Sequence, residues 1–99
     1  MSKVVFRKEL AVICDSLTKK MVYGVATHEA KVKIKIIRDM YSQVANLIDS
    51  GLDLDEVKTL IEYKIEKQKY YINIPKKAIY NLYQVTALKS LSEKLDEYM

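Results

Sequence analysis

Three residues punctuate this chain of 99: Gly24, Gly51 and Pro75 are its only glycines and its only proline. Each is a residue type that ends or begins a helix. Glycine takes the left-handed C′ position without steric cost, and proline suits the first helical position, where the amide it lacks would be unpaired anyway. With so few breakers, the stretches between them must be long regular elements, and an all-β fold with its many turns is disfavoured. The sequence therefore predicts one domain over residues 1–99 with four helices, roughly 3–23, 28–50, 54–70 and 75–98.

Hydrophobic spacing supports each helix. Phe6, Leu10, Ile13, Leu17 and Met21 form one stripe on the first. On the second, Ala30, Ile34, Ile37, Tyr41, Val44 and Ile48 repeat in heptad fashion, and Ile36, Met40 and Leu47 widen the stripe. Thr27 is the expected N-cap of that helix, with Gly24 and Gly51 as left-handed C′ residues before and after it. The third helix has the strongest start signal. Asp53 and Glu56 have capping-box spacing, and Leu52 and Val57 occupy the positions of a hydrophobic staple. Leu54, Val57, Ile61 and Ile65 then face inward.

One segment reads two ways. Lys31 to Ile36 alternates strictly between lysine and an apolar residue, and Tyr70 to Ile74 is also strand-like. Were both to pair, the fold would be α+β with a small hairpin or wing. The heptad through Ala30–Ile48 favours the all-α reading, a compact four-helix bundle, with Lys33 snorkelling out of the apolar sector.

The last helix carries two apolar groups about half a turn apart. Ala78, Ile79, Leu82, Val85 and Thr86 lie on one side; Leu88, Leu91, Leu95 and Tyr98 lie on the other, at coiled-coil spacing. The first group is expected to face the domain core and the second to form a homodimer interface. Opposite the first group stand Lys76, Lys77, Tyr80, Asn81 and Gln84. This is the residue mix of a DNA-recognition helix, with lysine for phosphate and Asn or Gln for adenine edges, in a helix-turn-helix-like context. The turn lacks the usual glycine, and no arginine is available on this face to read guanine.

Catalytic chemistry is missing. His28 is the only histidine and Cys14 the only cysteine, so neither a metal pair nor a Cys–His nucleophile can be assembled. No Gly-rich phosphate loop occurs. We expect no enzyme, no cofactor, no metal and no small-molecule substrate. No apolar run is long enough to span a membrane, and no secretory leader opens the chain, which predicts a cytoplasmic protein.

Composition then separates two function classes. Basic residues number 17 against 13 acidic, a net charge of +4, and only Arg7 and Arg38 are arginine. Eight tyrosines are unusual for this length. A basic, tyrosine-rich, non-catalytic helical protein predicts nucleic-acid binding, most simply to duplex DNA as a regulator or accessory factor, a role that would suit a virus or plasmid. The alternative is a helical protein-interaction module, an adaptor or inhibitor, in which Tyr63 and Tyr70 contact the partner.

Overall fold

Thr27 opens its helix as expected. Its backbone is extended (φ −64°, ψ 162°), and its hydroxyl oxygen accepts the Ala30 amide at 3.2 Å, satisfying one of the amides a helix start leaves unpaired. The computed structural model describes residues 2–24, 27–71 and 78–99. They form four helices: α1 (Ser2–Tyr23), α2 (His28–Asp49), α3 (Leu54–Tyr71) and α4 (Ala78–Asp96). Pro75, the expected start of the last helix, lies outside the described residues.

Gly51 is left-handed, with φ 100°. Its amide donates to Ile48 at 3.0 Å and the Leu52 amide to Leu47 at 3.4 Å, which is the Schellman pattern. Leu47 and Leu52 both pack on the core beside it. The Glu56 carboxylate accepts the Asp53 amide at 3.3 Å, forming the back-reaching half of the capping box. Gly24 differs from expectation. Gly51 is the glycine with positive φ among the described residues; Gly24 instead donates its amide to Lys20 at 3.1 Å. A Cβ there would lie 2.3 Å from the Lys20 carbonyl oxygen, so the position needs glycine for close approach rather than for handedness.

The strand alternative fails at its first segment, because Lys31–Ile36 lies within α2. Of its apolar residues Ile36 is buried and Ile34 half-buried, while Val32 stays exposed. The second segment mostly lies beyond the described residues, and no strand occurs among those described.

The helices run alternately up and down. α1 packs on α2 and α3 on α4, and the two hairpins meet through α2 and α4. Cross-contacts fix the directions. The Arg7 guanidinium donates two bonds to Asp49, at 2.8 and 3.0 Å, joining the start of α1 to the end of α2. Lys58 pairs with Asp96, joining the start of α3 to the end of α4. The Lys33 ammonium lies 5.3 Å from the Tyr83 ring centre, and the Tyr41 and Ser90 hydroxyls share a hydrogen bond at 3.1 Å, so α2 and α4 are parallel. The molecule measures 39 × 34 × 21 Å, about two helix diameters thick.

The core is drawn from Phe6 and Leu10 of α1, Met40, Tyr41, Val44 and Ile48 of α2, Val57 and Ile61 of α3, and Leu88, Leu91 and Leu95 of α4. Each large apolar side chain fully buried here contributes about 1.5–3 kcal/mol. The rest of the α1 stripe, Ile13, Leu17 and Met21, is only half-buried.

Candidate nucleic-acid interface

α4 does not change face midway. Asn81, Gln84, Leu88, Leu91 and Leu95 recur at spacings of three and four, and all are buried. They make one continuous seam. Val85 of the expected core-facing group is buried as expected, but Ile79 and Leu82 are not, so the expected rotation of the first half is corrected, for a mechanical reason. A straight helix cannot turn one half independently, and the three leucines, at 0–1% exposure, fix the rotation for the whole. Two expectations change with it.

The first concerns the recognition face. Asn81 is 4% exposed and Gln84 is 6% exposed, so neither amide is available to a base edge. Ile79, at 68%, and Leu82, at 49%, stand in solvent instead. Tyr80 is half-exposed as expected, and Lys76 and Lys77 lie outside the described residues. The second concerns the dimer seam. Leu88, Leu91 and Leu95 are spent on the protein's own core. Tyr98 is half-buried; its ring lies 5.4 Å from Phe6 and its hydroxyl donates to Glu9. These four side chains cannot form an outward stripe. Tyr63 and Tyr70 are both exposed on α3, as the sequence suggested.

What the fold does assemble is a segregation of charge. The C-terminal part of α1, the N-terminal part of α2 and the C-terminal part of α3 share one end of the bundle. They bring together Lys19, Lys20, Lys31, Lys33, Lys35, Lys67 and Lys69, facing Asp15, Glu29, Glu62 and Glu66. Lys19 pairs with Asp15 and Lys69 with Glu66; Lys20, Lys31, Lys35 and Lys67 have no ion pair among the described residues. The other end carries Glu9, Asp49, Asp53, Asp55, Glu56, Glu93, Asp96 and Glu97, only partly balanced by Lys3, Arg7, Lys8, Lys58 and Lys94. Tyr23, Tyr70 and Tyr80 are exposed on the lysine-rich end. So is a groove of about 260 Å³ between α2 and α4, lined by His28, Glu29, Val32, Ile79 and Tyr83. Sequence periodicity does not reveal this end, because it depends on which helix termini the topology brings together.

The nucleophile candidates are placed without partners for chemistry. Cys14 is half-buried, and burial pushes its thiol above the ordinary range, away from the thiolate a nucleophile needs. His28 is exposed at the groove. Among the described residues, no group of His, Cys, Asp and Glu could hold a metal ion, and no helix is long and apolar enough to cross a membrane. Comparison with known proteins returns no matching family model, no matching curated protein and no matching solved structure.

Proposed function

We propose that the protein is a small, non-catalytic nucleic-acid-binding protein, a cytoplasmic regulator or accessory factor that holds duplex DNA through its lysine-rich end. The observation that carries this reading is the grouping of Lys20, Lys31, Lys35 and Lys67, without ion pairs among the described residues, beside exposed Tyr23, Tyr70 and Tyr80. Lysine is a compact charge that meets phosphate without reading sequence. With Asn81 and Gln84 buried, the favoured mode is backbone contact with little base discrimination.

Fluorescence anisotropy with a labelled duplex, measured across a salt series, tests the reading. Binding should fall steeply with salt, and each of Lys20→Ala, Lys31→Ala, Lys35→Ala and Lys67→Ala should reduce the log–log slope by about one unit on every sequence alike. Retention that ignores salt, or a quadruple variant that binds like the wild type, overturns it.

One observation favours the protein-interaction module as a second reading. Val32, Ile79 and Leu82 are exposed around the groove, and nucleic acid makes little use of aliphatic surface, whereas protein interfaces do. A homodimer on this reading would use this ridge rather than Leu88, Leu91 and Leu95, which are committed to the core. Sedimentation of wild type and Ile79→Lys distinguishes the cases.

A further inference from the structure

α1 is apolar on two faces. Phe6, Leu10 and Ile13 turn inward, the first two wholly buried. On the opposite side Val4, Val5, Ala11 and Val12 stand in solvent, the valines at 55, 51 and 69% exposure. At about 100° per residue, these four share one arc of the helix with Lys8 and Asp15, turned away from Phe6 and Leu10. The stretch lies toward the acidic end, where Arg7 is tied to Asp49 of α2 and Glu9 to Lys94 of α4.

A helix that is apolar all round is ordinarily covered all round. Single exposed valines are common on protein surfaces. Three around an alanine on one helix face are not what helix formation favours, since valine is a poorer helix former than lysine, glutamate or alanine. The neighbouring helix, α2, exposes Ser42, Gln43 and Asn46 instead.

The charges on this face match those of a second copy of itself. Lys8 and Asp15 are both exposed, and they stand on either side of Ala11 and Val12 at equal separation along the chain. Two copies meeting here about a two-fold axis, with their α1 helices antiparallel, set Lys8 of each against Asp15 of the other. A parallel pairing sets lysine on lysine and aspartate on aspartate, which repels. Lys8 has no ion pair among the described residues. Asp15 holds Lys19 of its own helix at 3.0 Å, with both side chains largely exposed, so its carboxylate can accept a second lysine. Ala11 has no bulk beyond its Cβ and lets the two helices approach where they cross. A lipid surface is a poorer match, because helices that lie on membranes use larger apolar side chains and place no acid among them.

We propose that the outer face of α1 joins two copies of this chain in antiparallel fashion, with Val12 beside the two-fold axis and a Lys8–Asp15 pair on each side of it. This face is separate from the Val32–Ile79–Leu82 ridge, and the proposal rests on neither functional reading. One helix face from each copy is a small contact, below about 1,200 Å² in total, so the dimer should dissociate in the micromolar range.

Sedimentation velocity on the full chain, from a few micromolar to several hundred, tests this. Wild type should pass from monomer to dimer across that range. Val12→Lys places like charges together at the axis and should weaken association by about tenfold or more; circular dichroism and Tm should stay as in wild type, because the side chain is exposed. Lys8→Asp and Asp15→Lys should each weaken association by about tenfold, since the two-fold axis counts every change twice. The double variant exchanges the two charges and should restore most of it. Ile79→Lys should leave the dimer intact. A wild type that stays monomeric at several hundred micromolar overturns the proposal. So does a dimer that survives Val12→Lys, one that Ile79→Lys dissociates, or one that the exchanged pair fails to restore. A wild type that stays monomeric but binds vesicles of phosphatidylcholine with phosphatidylserine, and loses them on Val12→Lys, assigns the face to lipid and overturns it as well.

Discussion

Gln84→Met should make the protein more stable, although it changes only the end of one side chain in a buried seam. Gln84 is 6% exposed, and its side-chain oxygen has no partner among the described residues. An unsatisfied buried polar group costs about 1–3 kcal/mol relative to an apolar replacement of the same shape. Methionine has the same unbranched length, nearly the same helix propensity and a flexible thioether that adapts to its surroundings. Imperfect repacking after such a swap costs less than about 1.5 kcal/mol. The balance is a gain of about 1 kcal/mol, and for a domain of this size each kcal/mol moves Tm by about 4–8 °C.

Thermal unfolding followed by circular dichroism, with urea titration to confirm an unchanged m-value, measures the gain directly. Gln84→Ala is the useful contrast. It removes the same oxygen but leaves a cavity, so it should be neutral or destabilising. A Gln84→Met protein that melts lower than wild type would mean the oxygen is satisfied after all, and the argument that the seam is weakened at this point would fail with it.

Four further outcomes follow from the same structure. Gly51 has φ 100°, and a Cβ added there would meet nothing within 4 Å, so Gly51→Ala should cost about 1–2 kcal/mol from backbone strain alone, and Gly51→Asn less, by urea denaturation. Leu91→Lys with Leu95→Lys should abolish cooperative unfolding rather than yield a folded monomer, because both positions are 0% exposed in the protein's own core; a cooperative, folded product by circular dichroism would contradict that placement. Glu9 is held below the usual carboxylate range, first by the Tyr98 hydroxyl and then by Lys94; a depressed folded-state value gives stability that is present above the ordinary range and lost as pH falls through the folded value, so Tm should drop on acidification and Glu9→Gln should flatten that drop. Lys94 and Tyr98 are raised, each chiefly by its hydrogen bond to Glu9, so their contribution is complete at neutral pH and lost only as alkali passes the raised values, giving a second decline in Tm that Glu9→Gln should also weaken.

Helix ends were legible in the sequence because their causes are local. The Thr27 hydroxyl reaches an amide three residues away, and the Gly51 reversal closes between Leu47 and Leu52. The rotation of α4 was not legible. Ile79 and Leu82 weigh as much in a hydrophobic pattern as Leu88, Leu91 and Leu95, and nothing local says which set the core takes; Val85, between the two, is buried with the leucines. Tertiary packing decides it through the leucines, and the rigid helix then carries Asn81 and Gln84 inward at positions that resemble an exposed recognition face. Arg7–Asp49 and Glu9–Lys94 join residues 42 and 85 positions apart, separations at which sequence spacing carries no information. The candidate interface was hidden for the same reason, since its lysines come from three different helices.

The charge order of this bundle is not what helix energetics favour. Acidic groups stabilise a helix start and basic groups its end, by about 0.3–1 kcal/mol each. α3 follows the rule, opening with Asp55 and Glu56 and closing with Lys69. The other helices follow it only in part: Lys20 stands in the last turn of α1, Glu29 in the first of α2 and Lys94 in the last of α4. α1 has no acidic residue in its first turn and begins with Lys3, Arg7 and Lys8. α2 has no basic residue in its last turn, ends on Asp49, and carries Lys31, Lys33 and Lys35 near its start. α4 runs into Asp96 and Glu97. In an up-and-down bundle the dipole rule would place both signs at each end, acids on the helices that start there and bases on those that finish. Here acids gather at one end and lysines at the other, against the dipoles of α2 and α4. The Arg7–Asp49 and Lys58–Asp96 pairs offset part of that cost at the acidic end. At the lysine-rich end, Lys31 and Lys35 near the start of α2 have no such compensation among the described residues, and the core does not require them. Charges that neither capping nor packing explains are the ones the proposed nucleic-acid reading uses, since an anionic surface would supply the missing favourable interaction.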